Sequence, residues 1–234
     1  MRLRLQLALV LMAAVVCRAQ IIDRMVAVVN RQVILQSDVE QAARVEFLLD
    51  GKPLDQLASS ATLQDARERL IDQALLQQQM VTTAQLDPTP EELAARLRDV
   101  RAQIPGASTD EKWQAMLAAY GVTEHDVEDQ IVSQIRVLRF VDLRFRGLVR
   151  VDKTAIATYY QDVLVPELHK QGAPVPPVDK VSSKISQILA EQRIDGLLNE
   201  WLQTLRSQTH IAKMNMEADA VSEVKPEMKL GAKP

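Results

Sequence analysis

A chain of 234 residues with 31 acidic against 28 basic side chains and only 3% aromatics is poorly made for nucleic acid, which asks for a basic face and stacking rings. Its one cysteine, Cys17, excludes a disulfide scaffold and a thiolate metal site. The length suffices for a sizeable core, in one domain or two small ones.

Residues 1–19 read as a secretory signal peptide. Arg2 and Arg4 form a positive start, Leu5 to Val16 is apolar except for Gln6, and Cys17-Arg18-Ala19 sets small residues three before and one before a cut between Ala19 and Gln20. The apolar run, about 12 residues, is too short to cross a bilayer comfortably. Val16 stands where a lipoprotein signal needs a small residue. No later stretch approaches a transmembrane length, so no stable membrane insertion is expected after cleavage. Cleavage also removes Cys17, Arg2, Arg4 and Arg18, leaving 25 basic against 31 acidic residues, a net charge near −6.

The mature chain opens directly on Ile21 to Glu40. Met25 to Val29 is apolar and β-branched, Asn30-Arg31-Gln32 is turn-like, and Val33-Ile34-Leu35 is apolar again, which predicts a β-hairpin. Ser37 with Glu40 has the spacing of a capping box, so a helix is predicted from about Asp38 to Leu49, ending at Asp50-Gly51 before Pro53. Thr62 with Asp65 predicts the next start. Leu63, Ala66, Leu70, Ala74 and Val81, widened by Ile71 and Leu75, give that helix one broad apolar face.

Asp87-Pro-Thr-Pro90 punctuates the chain. Thr89 caps, Pro90 occupies the first helical position, and Glu92 completes the box of a helix that ends before Pro105-Gly106. Ser108 and Glu111 predict the following start, with Trp113, Met116, Leu117 and Tyr120 on one face and Gly121 as the stop. Thr123 with Asp126 opens a long helix whose stripe is Val127, Ile131, Ile135, Leu138, Val141 and Phe145, ending at Gly147. Four or five caps at regular intervals describe a compact helical domain with short connections.

After Arg150 the texture changes. Asp152 caps a short helix reaching about Leu164. Pro166, Gly172, Pro174 and Pro176-Pro177 then read as a stiff linker, which makes 151–179 a connecting segment. From Lys180 to about Ser207 one long helix carries Val181, Ile185, Ile188, Leu198, Trp201 and Leu205 on one side, with Gly196 as a candidate bend. His210 to Met214 reads as a short strand. From Asn215 to Pro234 the chain is polar and aperiodic, and a disordered tail is expected.

The succession VAVVN, VILQSDVE, RERLIDQALLQQQ, a Pro-started helix, then YGVTEHDVEDQI and IRVLRF, resembles the N-terminal domain of SurA-type periplasmic chaperones over about residues 21–150. The resemblance implies a mainly α fold, in which a multi-helix domain with a small hairpin sheet is completed by a C-terminal helix and strand, here 180–214. It also implies the periplasm as location and unfolded exported polypeptides, above all outer-membrane proteins, as partners, held without ATP. Larger relatives carry parvulin-type prolyl isomerase domains between the two parts. Here the segment from Val151 to Asp179 has only 29 residues, well below the size of a domain, so isomerase activity is not carried over and no enzyme is expected. A prolyl isomerase or a non-catalytic envelope adaptor module are the alternative readings.

Residue chemistry points the same way. His125, His169 and His210 share no ligand spacing. No nucleophile elbow, Walker A, HExxH or dinucleotide motif occurs. No catalytic, metal or cofactor residue is therefore assigned, and no cofactor is expected. The acidic groups at Glu91-Glu92 and Glu124 to Asp129 complement helix dipoles. Arg136, Arg139, Arg144, Arg146 and Arg150 read as a solvated basic face. A trough that grips many sequences suits adaptable apolar side chains such as methionine. Met116 beside Trp113 and Tyr120 nevertheless reads as core, and the sequence assigns no residue to such a trough.

Overall fold

Two strands joined by a two-residue turn run directly into a helix at the start of the described chain. The computed structural model describes residues 23–57, 59–80 and 86–215. The expected signal peptide with its cut between Ala19 and Gln20, Val81, and residues 216–234 of the expected tail lie outside them. β1 (Met25–Val29) pairs antiparallel with β2 (Gln32–Leu35). Asn30 turns the hairpin with a left-handed φ of 57°, a conformation asparagine tolerates better than most residues. Met25 faces Leu35 and Ala27 faces Ile34, so Val26 is an extra residue on β1. Such a bulge breaks strict alternation, and Val26 and Ala27 are both buried.

β3 (Ile211–Lys213) closes on the other side of β1, giving the order β2-β1-β3. The amide of Asn30 donates to the His210 carbonyl at 2.9 Å, and that of Met214 to the Val26 carbonyl at 3.0 Å. The central strand therefore has one neighbour from each end of the described chain.

α1 (Gln36–Asp50) begins at once after β2 and ends at Gly51, which is left-handed at φ 64°. Here the predicted Ser37–Glu40 box is corrected. Leu35 is still held in the sheet, so the helix starts two residues earlier than predicted. The Asp38 carboxylate accepts the Leu35 amide at 2.8 Å. Ser37 instead donates its hydroxyl to Asp23, and that bond, with backbone bonds, holds the exposed Asp23 carboxyl below its ordinary range.

α2 (Ser60–Met80) is capped by Ser59, whose Oγ accepts the Thr62 amide at 3.1 Å, so Thr62 lies inside the first turn rather than before it. α3 (Pro90–Gln103) has the predicted cap. Glu92 N–H donates to Thr89 Oγ1 at 3.2 Å, and Glu92 accepts the Thr89 amide at 2.8 Å. α4 (Asp110–Tyr120) is capped by Thr109, not by its neighbour Ser108, and stops at left-handed Gly121. α5 (Glu124–Phe145) opens on the predicted Thr123–Asp126 box and passes into a 3-10 turn at Arg146–Leu148.

α6 (Lys153–Tyr159) is capped by Asp152 and continues through a π-helical turn, Tyr160–Leu164, into α7 (Val165–Lys170). The expected linker is thus shorter than the sequence suggested. Pro166 sits in the first turn of α7, directly after the π-helical turn, and between α7 and α8 only 171–177 are non-helical. α8 (Val178–Gln208) is continuous through Gly196.

Four apolar clusters hold these elements. The first joins β1 and Ile34 to Val39 and Ala43 of α1, Ala66, Ile71, Ala74 and Leu75 of α2, and Leu205 of α8. The second joins Val45 and Leu48 of α1 to α3, to Trp113 and Leu117 of α4, and to Val127 and Ile131 of α5. The third joins Leu76 and Met80 of α2 to Phe140 of α5, with Leu198, Trp201 and Leu202 of α8 packed on them. The fourth joins Val141 and Phe145 to Ile194. Helices α1, α2 and α5 are therefore welded pairwise at three separate corners, and space remains between them.

Candidate binding groove

That space is an open groove in two adjoining hollows of about 310 and 390 Å³, within the range of about 300–1,000 Å³ usual for ligand clefts. Gln73, Gln130 and Gln134 line both hollows. Leu76, Val137 and Leu138 complete the wider hollow; Leu49, Ala66 and Leu70 give the narrower one its apolar wall. Leu138 is 68% exposed, so its apolar side chain stands open to solvent at the wider hollow.

Leu138 also corrects the predicted stripe of α5. Up to Ile131 the buried face looks toward α1, α3 and α4. Beyond it, Val137, Phe140 and Val141 turn toward α2 and α8. The buried face rotates with its partner, and Leu138 is left on the groove side.

The amides are placed by helical spacing. Gln130, Gln134 and Leu138 follow one another at four-residue steps on α5, so they share a face. Gln73 on α2 reaches across and donates Nε2–H to Ser133 Oγ at 2.7 Å. Among the described residues, no side-chain hydrogen bond engages Gln130 or Gln134. Each carboxamide offers two N–H donors and one carbonyl acceptor.

The charged lining is internally paired. Glu46 and Arg69 form an ion pair, and Asp50 pairs with Lys52 at 2.7 Å. The wider hollow thus presents apolar surface and neutral amides, and the narrower one adds charges that are already paired. No three His, Asp or Glu side chains converge to hold a metal among the described residues, and His125 merely faces Glu128 and Asp129 on its own exposed helix face.

The methionines lie elsewhere. Met80 is buried in the third cluster and Met116 packs half-buried on the second, as core. Nor is the arginine run a bare basic face. Arg136 pairs with Asp87, Arg139 with Glu92 at 2.8 Å and the Asp87 carbonyl at 2.6 Å, and Arg146 with Asp142. Arg144 stacks 4.2 Å over the Trp201 ring. The Thr89 amide, with the Arg139 guanidinium, holds Glu92 below the usual carboxylate range. Sequence reasoning missed Gln73, Gln130 and Gln134, because glutamine on a helix surface carries no signal that separates it from ordinary solvated residues.

A profile of SurA-like N-terminal domains matches residues 5–140. A search of curated proteins found no relative.

Proposed function

We propose, on the premise that this chain belongs to the family of SurA-like N-terminal domains, that it is an ATP-independent holdase of the periplasm for unfolded exported proteins, outer-membrane barrels foremost. The observation that carries this reading is the open groove between α1, α2 and α5. Its apolar walls and neutral amides suit weak binding of many extended sequences better than recognition of one compact ligand. The family supports a chaperone-type domain, and the predicted signal peptide supports export. The absence of any nucleotide-binding motif from the sequence is in keeping with ATP independence.

No isomerase activity is proposed. Between α5 and α8 the chain has room only for α6, its π-helical turn and α7.

Binding needs no covalent step. An unfolded segment replaces the water over Leu76, Val137 and Leu138, and the apolar area removed from water drives capture at about 25 cal/mol per Å². Release follows when the client finds better burial in its own fold or in a membrane.

The test is light scattering of an unfolded outer-membrane β-barrel diluted out of urea. The purified protein at equimolar ratio is expected to suppress scattering, and Leu138→Glu is expected to weaken the effect without changing the melting temperature, because that side chain is largely exposed. Scattering that proceeds unchanged with the wild-type protein would sink the reading.

A further inference from the structure

The geometry points to a definite occupant for the groove: an extended, uncharged polypeptide segment read through its backbone by the Gln73, Gln130 and Gln134 carboxamides. This rests on the holdase reading and specifies which chemistry it recognises. Two observations carry it. Gln130 and Gln134 make no side-chain hydrogen bond among the described residues, although each lines a cleft that also has apolar walls. A polar group in such a place keeps its water until a ligand supplies equivalent donors and acceptors.

The second observation is charge. The chain carries 31 acids against 28 bases, yet the wider hollow has no charged side chain in its lining. The narrower hollow has Glu46, Asp50 and Arg69, already matched within the fold. A charged segment would lose its hydration there without gaining a partner. An extended backbone is neutral and offers alternating N–H and C=O groups. Its side chains point alternately to opposite faces, so every second residue can meet Val137 and Leu138.

The direct test is fluorescence anisotropy of the full chain with a fluorescein-labelled peptide of alternating valine and threonine. The same peptide N-methylated at every second residue serves as the backbone-blocked control. Losing one or two backbone hydrogen bonds is expected to weaken binding about five-fold or more. Gln134→Leu is expected to weaken the parent peptide but not the methylated one, which is the signature of a direct coupling. Replacing alternate valines by lysine, which puts unpaired charge on the face that meets Val137 and Leu138, is expected to abolish binding, and unchanged affinity would overturn the inference.

Equal affinity for parent and methylated peptides would overturn the inference. So would failure to bind the parent peptide, or a Gln134→Leu effect of the same size on both peptides. The scattering assay separates the two levels: a protein that suppresses aggregation but ignores N-methylation remains a holdase and reads side chains instead.

Discussion

At the residue scale, Trp113 shows how one side chain gathers several elements. It is fully buried on α4, its indole N–H donates to Glu124 at the start of α5, and the Arg101 guanidinium of α3 lies 5.4 Å from its ring centre. Trp113→Ala is expected to destabilise the protein by about 3–5 kcal/mol in urea titration, because the neighbouring helices cannot collapse into so large a void. A finer expectation concerns the start of α4. Thr109→Ala is expected to cost about 1 kcal/mol and Ser108→Ala much less, since only Thr109 Oγ1 accepts the Lys112 amide. The reverse order in urea midpoints would restore Ser108 as the cap. Two adjacent hydroxyl residues carry the same capping signal, and the sequence does not rank them. The choice is made by the buried side chains of Ile104 and Ala107, which anchor the preceding loop in the second cluster and so fix where the helix begins.

At the element scale, α8 and β3 are held by an ionic latch as well as by the sheet. Arg206 contacts Asp72 at 2.7 Å and Glu68 at 2.9 Å, and Lys213 reaches Glu68 at 2.8 Å. The Arg67 guanidinium donates to the Met214 carbonyl at 3.1 Å. Burial alone would raise Glu68, but the hydrogen bonds from Lys213 and Arg206 outweigh it and hold the carboxyl below its usual 4.5. A carboxyl lowered in the folded state contributes its stability in full above 4.5 and loses it as the pH falls through the lower folded value. Wild type is therefore expected to melt above Glu68→Gln at neutral pH, with the two curves converging in acid. Melting temperatures that stay parallel from neutral to acid pH would count against the latch. The hairpin and the helices were legible in the sequence because each rests on local periodicity and turn chemistry, whereas the return of β3 to β1 was implied only by the family resemblance. The latch was not, because Glu68 and Arg206 are far apart in the chain and look like surface charges until the fold brings them together. The groove face of α5 was hidden for a related reason: a stripe shows which residues are apolar, not which neighbour each part of the helix meets.

At the scale of the whole molecule, the decisive feature is that β1 is completed from both ends. β2 follows it immediately, whereas β3 arrives only after α8 has run back along α5 and α2. The third and fourth clusters depend on the same return. Phe140 and Phe145 each lie 5.8 Å from the Trp201 ring, and Ile194, Leu198 and Leu202 cover the ends of α2 and α5. A fragment of residues 20–150 keeps every helix that lines the groove but loses this cover. It is expected to melt without cooperativity or to aggregate, and to bind a dye that reports exposed apolar surface, since the first corner loses Leu205 and the third loses the cover of Leu198, Trp201 and Leu202. Restoring 180–214 as a separate peptide is expected to recover part of the transition, because the β1 edge and the Trp201 site are specific and unoccupied in the fragment. A fragment that melts as sharply and as high as the full chain would show that the groove's geometry is set by the first 150 residues alone.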